Sequence, residues 1–201
     1  MRMAFLTLLT RVHPARAKCL ERCIASVKAQ TDQDLQHLLL RPEIEPNDII
    51  KVGPLIHHAA SQVEGRFVTQ LPDDDCLGSP DFVRLLKAVV GLDEDVDLVV
   101  HRMEYGENWI CPPEDKWRAR KVEMGHIAGQ NVILRSDLYR KSSHEWLRAM
   151  YEADFYYIRT AFSLATKVVW WNSIGIVSQG KWGNSQGKPE SLIELKSKVG
   201  G

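Results

Sequence analysis

Short unbroken apolar runs alternate along the chain with stretches whose apolar positions recur every three or four residues, the rhythms of buried strands and of one-sided helices. Residues 3–10 form the first run, closed by Thr10, Arg11, His13 and Pro14, which predicts a strand buried on both faces and ending in a loop. Pro14 suits a first helical turn. Leu20, Cys23, Ile24 and Val27 then share one face while Arg16, Glu21, Arg22 and Lys28 fall elsewhere, so an amphipathic helix follows. Leu38 to Leu40 predict a second strand, stopped by Arg41-Pro42. The intervening helix implies that the two strands pair in parallel.

Apolar and small residues from Ile49 to Val63 predict a second helix, interrupted early by Gly53-Pro54, with its core beginning near Leu55. Gly65 ends it, and Arg66 to Leu71 predict a strand that runs straight into Pro72 and three aspartates. Ser79-Pro80-Asp81 reads as an N-cap, a first-turn proline and an acid favoured by the helix dipole, opening a helix to about Val90. Asp97 to Met103 predict another strand. Residues 104–124 show no clean periodicity, and loops of that length are usually functional or disordered. A short strand at Asn131 to Leu134, a largely helical stretch from Trp146 to Thr166, and extended segments at 168–171 and 174–177 complete the pattern. Residues 181–201, rich in Gly, Ser and Lys, read as a loop or flexible tail, which leaves residues 1–180 as one folded domain. Strands alternating with helices predict a single-domain α/β fold with a mostly parallel central sheet flanked by helices.

Composition narrows the functions available. At 201 residues, 44% apolar and 26% charged, the chain can bury one substantial core. Lys plus Arg and Asp plus Glu number 26 each, so no global field recruits nucleic acid or an anionic membrane. The apolar start is too short to span a bilayer and lacks a small-residue cleavage site, which predicts a cytoplasmic protein without a transmembrane segment. Cys19, Cys23, Cys76 and Cys111 lack zinc-ligand spacing and read as reduced thiols. Cys19 and Cys23 would share a helix face, where small buried thiols are the commoner meaning. No phosphate-binding glycine loop, Gly-x-Gly-x-x-Gly or Gly-x-Ser-x-Gly is present. His57 and His58 are adjacent and so diverge on a helix, which argues for packing rather than a shared metal.

The strongest candidate for chemistry is the triplet Asp73, Asp74 and Asp75. Like charges this close repel and raise one another's pKa unless something positive compensates them, and a divalent cation is the natural partner. In an extended segment Asp73 and Asp75 would point the same way, presenting hard oxygens to Mg²⁺ or Mn²⁺ and leaving positions open for phosphate. A solvated acidic turn is the competing reading. Location after an apolar strand favours a site, because ligands of open α/β sheets collect beyond the carboxyl ends of strands. Asp93-Glu94-Asp95 has no such run before it and reads as a solvated connection. In Tyr151-Glu152-Ala153-Asp154-Phe155, aromatics can desolvate a carboxylate and suit it to act as a general base; the alternative is an ordinary helix with both acids in solvent. Trp109, Trp117, Trp170, Trp171 and Trp182 can stack on sugar rings or simply contribute core area.

Taken together, these segments resemble the family 2 glycosyltransferases, whose fold is the nucleotide-diphospho-sugar transferase fold of type A. The resemblance runs over about residues 3–165. It is carried by the first strand and the helix ending in Gln30-Thr31, by Gly65-Arg66-Phe67-Val68 through Leu71-Pro72-Asp73-Asp74-Asp75 to Pro80-Asp81-Phe82, and by Tyr151 to Phe155. It implies a metal-dependent hexosyltransferase that moves a sugar from a nucleoside-diphosphate sugar to an acceptor hydroxyl with inversion. On this resemblance Asp73 and Asp75 serve Mg²⁺ or Mn²⁺ and the diphosphate, with Asp75 the direct ligand. Thr10, Arg11, Asp73 and Asp74 lie near the nucleotide sugar. Asp154 is the base, with Glu152 second, and Trp109 is a candidate acceptor contact. The acceptor is left open among glycan, lipid-linked and protein hydroxyls. Where the family's second strand usually ends in an Asp-Asp-Gly-Ser-like stretch, this chain has Leu40-Arg41-Pro42-Glu43. That departure keeps a non-catalytic, glycosyltransferase-like protein that binds a nucleotide or glycan as the alternative.

Overall fold

The computed structural model describes residues 3–41, 49–91, 95–106, 109–148, 150 and 152–178. The predicted tail and Asp93-Glu94 lie outside them, and Asp95 is exposed. Strand β1 (Leu6–Arg11) leads through a 3-10 turn at Pro14–Arg16 into helix α1 (Ala17–Lys28) and strand β2 (Leu35–Leu40). Helix α2 (Ile49–His58), a 3-10 turn at Ala59–Ser61, strand β3 (Phe67–Gln70), strand β4 (Asp75–Leu77) and helix α3 (Phe82–Val90) follow. Strand β5 (Leu98–Tyr105) turns back as β6 (Trp109–Cys111) into helix α4 (Glu114–Ala119). A 3-10 turn at Gly129–Asn131 then opens strand β7 (Val132–Arg135) and helix α5 (Ser136–Ser142). After a 3-10 turn at Ser143–Leu147, helix α6 (Ala153–Leu164) and strand β8 (Val168–Ser178) close the described chain.

The strands form one sheet in the order β2-β1-β3-β7-β5-β8-β4, with β6 on β5. As expected, β1 and β2 pair in parallel across α1, with Leu6 opposite Leu35 and Arg11 opposite Leu40. The β1–β3 and β5–β8 pairs are also parallel. The sheet as a whole is mixed, with β1, β2, β3, β5 and β8 running one way: β7 is inserted between β3 and β5 and runs against both, and β4 and β6 run against their neighbours. Two apolar layers account for the unbroken runs. Leu9, Val68, Val100 and Val132 face α2, α5 and α6, whereas Leu8, Phe67, Val99 and Ile133 face α1 and α3. A strand covered on both sides needs no polar face.

Local departures have local causes. The first helix begins as a 3-10 turn before α1 proper. Gly53 and Pro54 sit inside α2 without ending it, and a Cβ at Gly53 would lie 1.9 Å from the Trp146 carbonyl oxygen, so only glycine lets the two segments approach. The helical stretch predicted from Trp146 to Thr166 is broken, because Arg148 is extended between the 3-10 turn and α6. His57 Nδ1 contacts Ser143 Oγ at 3.0 Å, the packing role expected of it. The four cysteines are free thiols, with Cys23 and Cys111 buried.

Asp97, 4% exposed, ties the lower end of the sheet together. Its Oδ2 accepts bonds from Thr166 N (2.7 Å), Thr166 Oγ1 (2.6 Å) and Lys167 N (3.2 Å), and Arg135 Nη2 lies 2.9 Å from Oδ1. Burial alone would raise this carboxyl, but the bonds from Thr166 and Lys167 and the Arg135 charge outweigh it and hold the pKa below its ordinary value. A folded pKa below the unfolded one means stability that is complete at neutral pH and lost as pH falls through the ordinary carboxylate range, near pH 4 and below. Asp97→Ala is expected to cost about 3 kcal/mol at pH 7 and to flatten that acid limb, read by urea unfolding from pH 7 to pH 3.

Candidate active site

The chain directions gather several segments at one end of the sheet. β1 and β3 both run toward this end, and β7 begins there because it runs against β3. β8 runs parallel to β5 and finishes there, with Ser178 opposite Asp75. Since β8 starts at the opposite end, beside Asp97, the helix that feeds it must travel the other way. α6 therefore begins at the end where Asp73 to Asp75 lie, and its 12 residues span about 18 Å of the sheet's height. Its first residues are Ala153 and Asp154, preceded by Glu152 at the N-cap. α6 also packs on the 3-10 turn at Gly129–Asn131, whose Gln130 reaches Asp75.

The aspartates do not form the extended segment that the sequence suggested. Asp75 N donates to the Pro72 carbonyl at 3.0 Å, closing a turn with Asp73 and Asp74 at its centre, so the alternation that would have aligned Asp73 with Asp75 is broken. Asp73 is 1% exposed. One of its oxygens accepts the His13 backbone N–H and the other lies 3.1 Å from Arg16 Nη1. The same nitrogen reaches Asp74 Oδ2 at 2.8 Å. Burial raises the Asp73 pKa, and the His13 bond and Arg16 only partly offset this. Asp75 faces different partners: Gln130 Nε2 donates to its Oδ2 at 3.3 Å, and the Ser178 side chain also bonds to it. Burial first, and the neighbouring Asp74 charge second, push its carboxyl up to about 8.

This arrangement bears directly on the metal. Both Asp73 oxygens are engaged by a backbone N–H and a guanidinium, so Asp73 does not fit as a ligand in this geometry. Asp75 does fit. It is a hard oxygen donor bonded by Gln130 and Ser178 in a buried place, where a cation would favour its ionised form. Among the described residues no group of three or more His, Cys, Asp and Glu gathers as a metal centre. A metal here would rest on Asp75 together with oxygens that the protein does not supply, as Mg²⁺ commonly does with phosphates and water.

Other expected contacts fare unequally. Thr10 is fully buried, and its hydroxyl donates to the Leu71 carbonyl at 2.7 Å while meeting His37 Nε2 at 2.7 Å, so it ties β1 to its neighbours and does not face a ligand. Arg11, half-buried, ends β1 at the same end of the sheet as the aspartates. Trp109 stacks near Tyr105, with centroids 5.2 Å apart, in the layer under α1 and α3. That is the face opposite α6, away from the Asp154 side. On the α6 face the tryptophans are instead Trp146, 5.4 Å from Tyr157 of α6, and Trp117 and Trp170, 5.1 Å apart, with Arg102 over Trp117.

Sequence reasoning missed Arg16, Gln130 and Asn131. Arg16 follows the β1 loop directly, and a cation at that position was the available signal. Asn131 is fully buried and holds the irregular segment in place: its Oδ1 accepts Ala128 N at 2.9 Å, and its Nδ2 donates to the His101 and Cys111 carbonyls at 3.1 and 2.9 Å. It thereby fixes the turn that carries Gln130.

No protein-family model and no curated protein matches the sequence. Among solved structures, the chain is similar to residues 1–349 of TarS from S. aureus, with a TM-score of 0.66 and 14% identity over 87% of this chain and 60% of that one. Against the complex of that protein with UDP the TM-score is 0.67 at 13% identity. Against the complex with UDP-GlcNAc it is 0.59 at 14% identity, covering 87% of this chain and 58% of that one. The chain shares the fold of these TarS structures. The chain spans about 60% of the length of those TarS chains. No helix among the described residues is long and apolar enough to cross a membrane.

Proposed function

We propose that the chain is a metal-dependent glycosyltransferase that moves a sugar from a nucleoside-diphosphate sugar to an acceptor hydroxyl with inversion. UDP-linked sugars are its first candidate donors. The observation that carries this reading is that Gln130 bonds to Asp75 from a turn that packs on α6, the helix that Asp154 opens, in a fold shared with TarS, which has been solved with UDP and with UDP-GlcNAc.

In this reading Arg16 and the His13 N–H hold Asp73 and Asp74 in a fixed turn, and that turn aims Asp75. Asp75 would hold Mg²⁺ or Mn²⁺, which when bound would neutralise charge on the diphosphate leaving group. Asp154 takes the proton of the acceptor hydroxyl. The acceptor oxygen forms the new bond to the anomeric carbon, and the bond from that carbon to the diphosphate oxygen breaks, its electron pair leaving with the nucleoside diphosphate. Attack opposite the leaving group inverts the centre. Arg11 and Asp74 remain candidates for the nucleotide side, and Glu152 is the second candidate base.

A non-catalytic nucleotide-binding role has one observation in its favour: Arg16 already compensates Asp73 and Asp74, so the turn can be stable without a metal. Titration with UDP and UDP-GlcNAc, with and without Mn²⁺, separates the two, combined with an assay of the UDP released as the sugar passes to water or to mixed sugar acceptors. Ligand at about 100 times its dissociation constant should add roughly 2.7 kcal/mol of stability. The transferase reading expects this gain to require Mn²⁺, to disappear in Asp75→Asn, and to accompany UDP release. Binding that ignores Mn²⁺, with no UDP released, would select the non-catalytic role.

A further inference from the structure

Gln70 is the last residue of β3, and it points to the α6 side of the sheet. Val68, two residues before it, and Leu9, its partner on β1, both belong to the layer under α6, as does Val132 at the start of β7. Gln70 is 91% buried by that packing (9% exposed), yet its amide nitrogen has no hydrogen-bond partner among the described residues. A donor left unmade in such a place costs free energy that a folded protein ordinarily avoids. The amide is also fitted to its surroundings. A Cβ at Gly129 would come within 3.2 Å of both Nε2 and Oε1 of Gln70, so the glycine leaves room for the amide to lie flat against the turn. The next residue in that turn, Gln130, holds Asp75.

We infer that Gln70 is a specificity-determining residue of the donor site, its amide N–H donating to an oxygen of the transferred sugar. The inference rests on the donor-binding reading above. The position follows from the Gly129–Asn131 turn: Gln70 lies against Gly129, the neighbouring Gln130 bonds to Asp75, and the same turn packs on α6. Between a diphosphate held at Asp75 and a base at Asp154 lies the sugar. A sugar hydroxyl or an N-acetyl carbonyl offers the acceptor oxygen that the amide lacks, whereas UDP alone would not reach it.

The test compares affinities for UDP and UDP-GlcNAc, in Mn²⁺, for the wild type, Gln70→Leu and Gln70→Met. Leucine and methionine suit the apolar neighbours Leu9, Val68 and Val132, so both variants should fold and keep their thermal midpoints or gain slightly. The expected result is UDP affinity within twofold of the wild type and UDP-GlcNAc affinity about tenfold weaker, a corresponding shift in the ratio of the two affinities. An unchanged ratio of the two affinities would overturn the assignment while leaving the donor site intact. Equal loss of UDP and UDP-GlcNAc, or a marked fall in stability, would make Gln70 a structural residue and overturn it also. If the wild type binds neither ligand, the donor-binding reading itself fails and the Gln70 assignment falls with it.

Discussion

Arg16→Ala is expected to cost about 3–5 kcal/mol of folding stability, the range for removing one partner of a buried ion pair. The side chain is 7% exposed and one nitrogen serves both Asp73 and Asp74, at 3.1 and 2.8 Å. Truncation leaves Asp73 buried with only the His13 backbone N–H against its charge. Burial already raises that carboxyl with the arginine present. The cost is thus mainly that of an uncompensated carboxylate, and removing the carboxylate as well should recover much of it. Arg16→Met with Asp73→Asn is expected to be at least 1–2 kcal/mol more stable than Arg16→Met alone, a coupling read from urea unfolding of the four corners of the cycle. A loss below about 1 kcal/mol for Arg16→Ala would mean that water reaches Asp73 freely and that Arg16 does not organise the turn.

The fate of the aspartate triplet shows what local pattern can and cannot convey. A strand that runs into three acids is visible in the sequence, and the junction of β3 with Asp73 to Asp75 was located on that basis. The compensating charge was not, because Arg16 sits 57 residues earlier and its position on the polar side of a predicted helix looks the same whether it meets solvent or a carboxylate. The turn at Pro72 to Asp75 then reversed the parity on which a shared metal position depended. Thr10 illustrates the same limit. A hydroxyl at the end of a buried strand can donate to a ligand or to a neighbouring carbonyl, and only the packed structure shows that it donates to Leu71.

Sheet topology was legible where a helix bridges two strands and illegible where the partner is distant. The β1–α1–β2 unit declares its parallel pairing through the amphipathic face of α1. By contrast β7 has four residues and β4 has three, too few to show a period, and both run antiparallel to their neighbours. Residues 104–124 lack periodicity because they pass from the end of β5 through the three-residue β6 into the six-residue α4, which buries no residue, so neither element shows a face of its own.

Asp154→Asn is expected to lower transfer, measured as UDP released with acceptor present, by about a thousandfold, while leaving UDP and UDP-GlcNAc affinities within twofold. Removing a general base typically costs 10²- to 10⁴-fold, and the asparagine keeps the size of the side chain but cannot accept the acceptor's proton. The change should hardly affect folding. Asp154 is half-exposed in the first turn of α6, where an acid's favourable interaction with the helix dipole is worth about 0.3–1 kcal/mol. Activity and stability therefore separate at this residue, whereas the Arg16 change acts on stability. Glu152, at the N-cap, provides the control, and Glu152→Gln is expected to lose less than tenfold. Retained turnover in Asp154→Asn with loss in Glu152→Gln would exchange the two roles without moving the site, since both carboxylates precede or open the same helix turn. Retained turnover in both would place the base outside α6, and the contact of that helix with the turn that carries Gln130 would then have to be explained by packing alone.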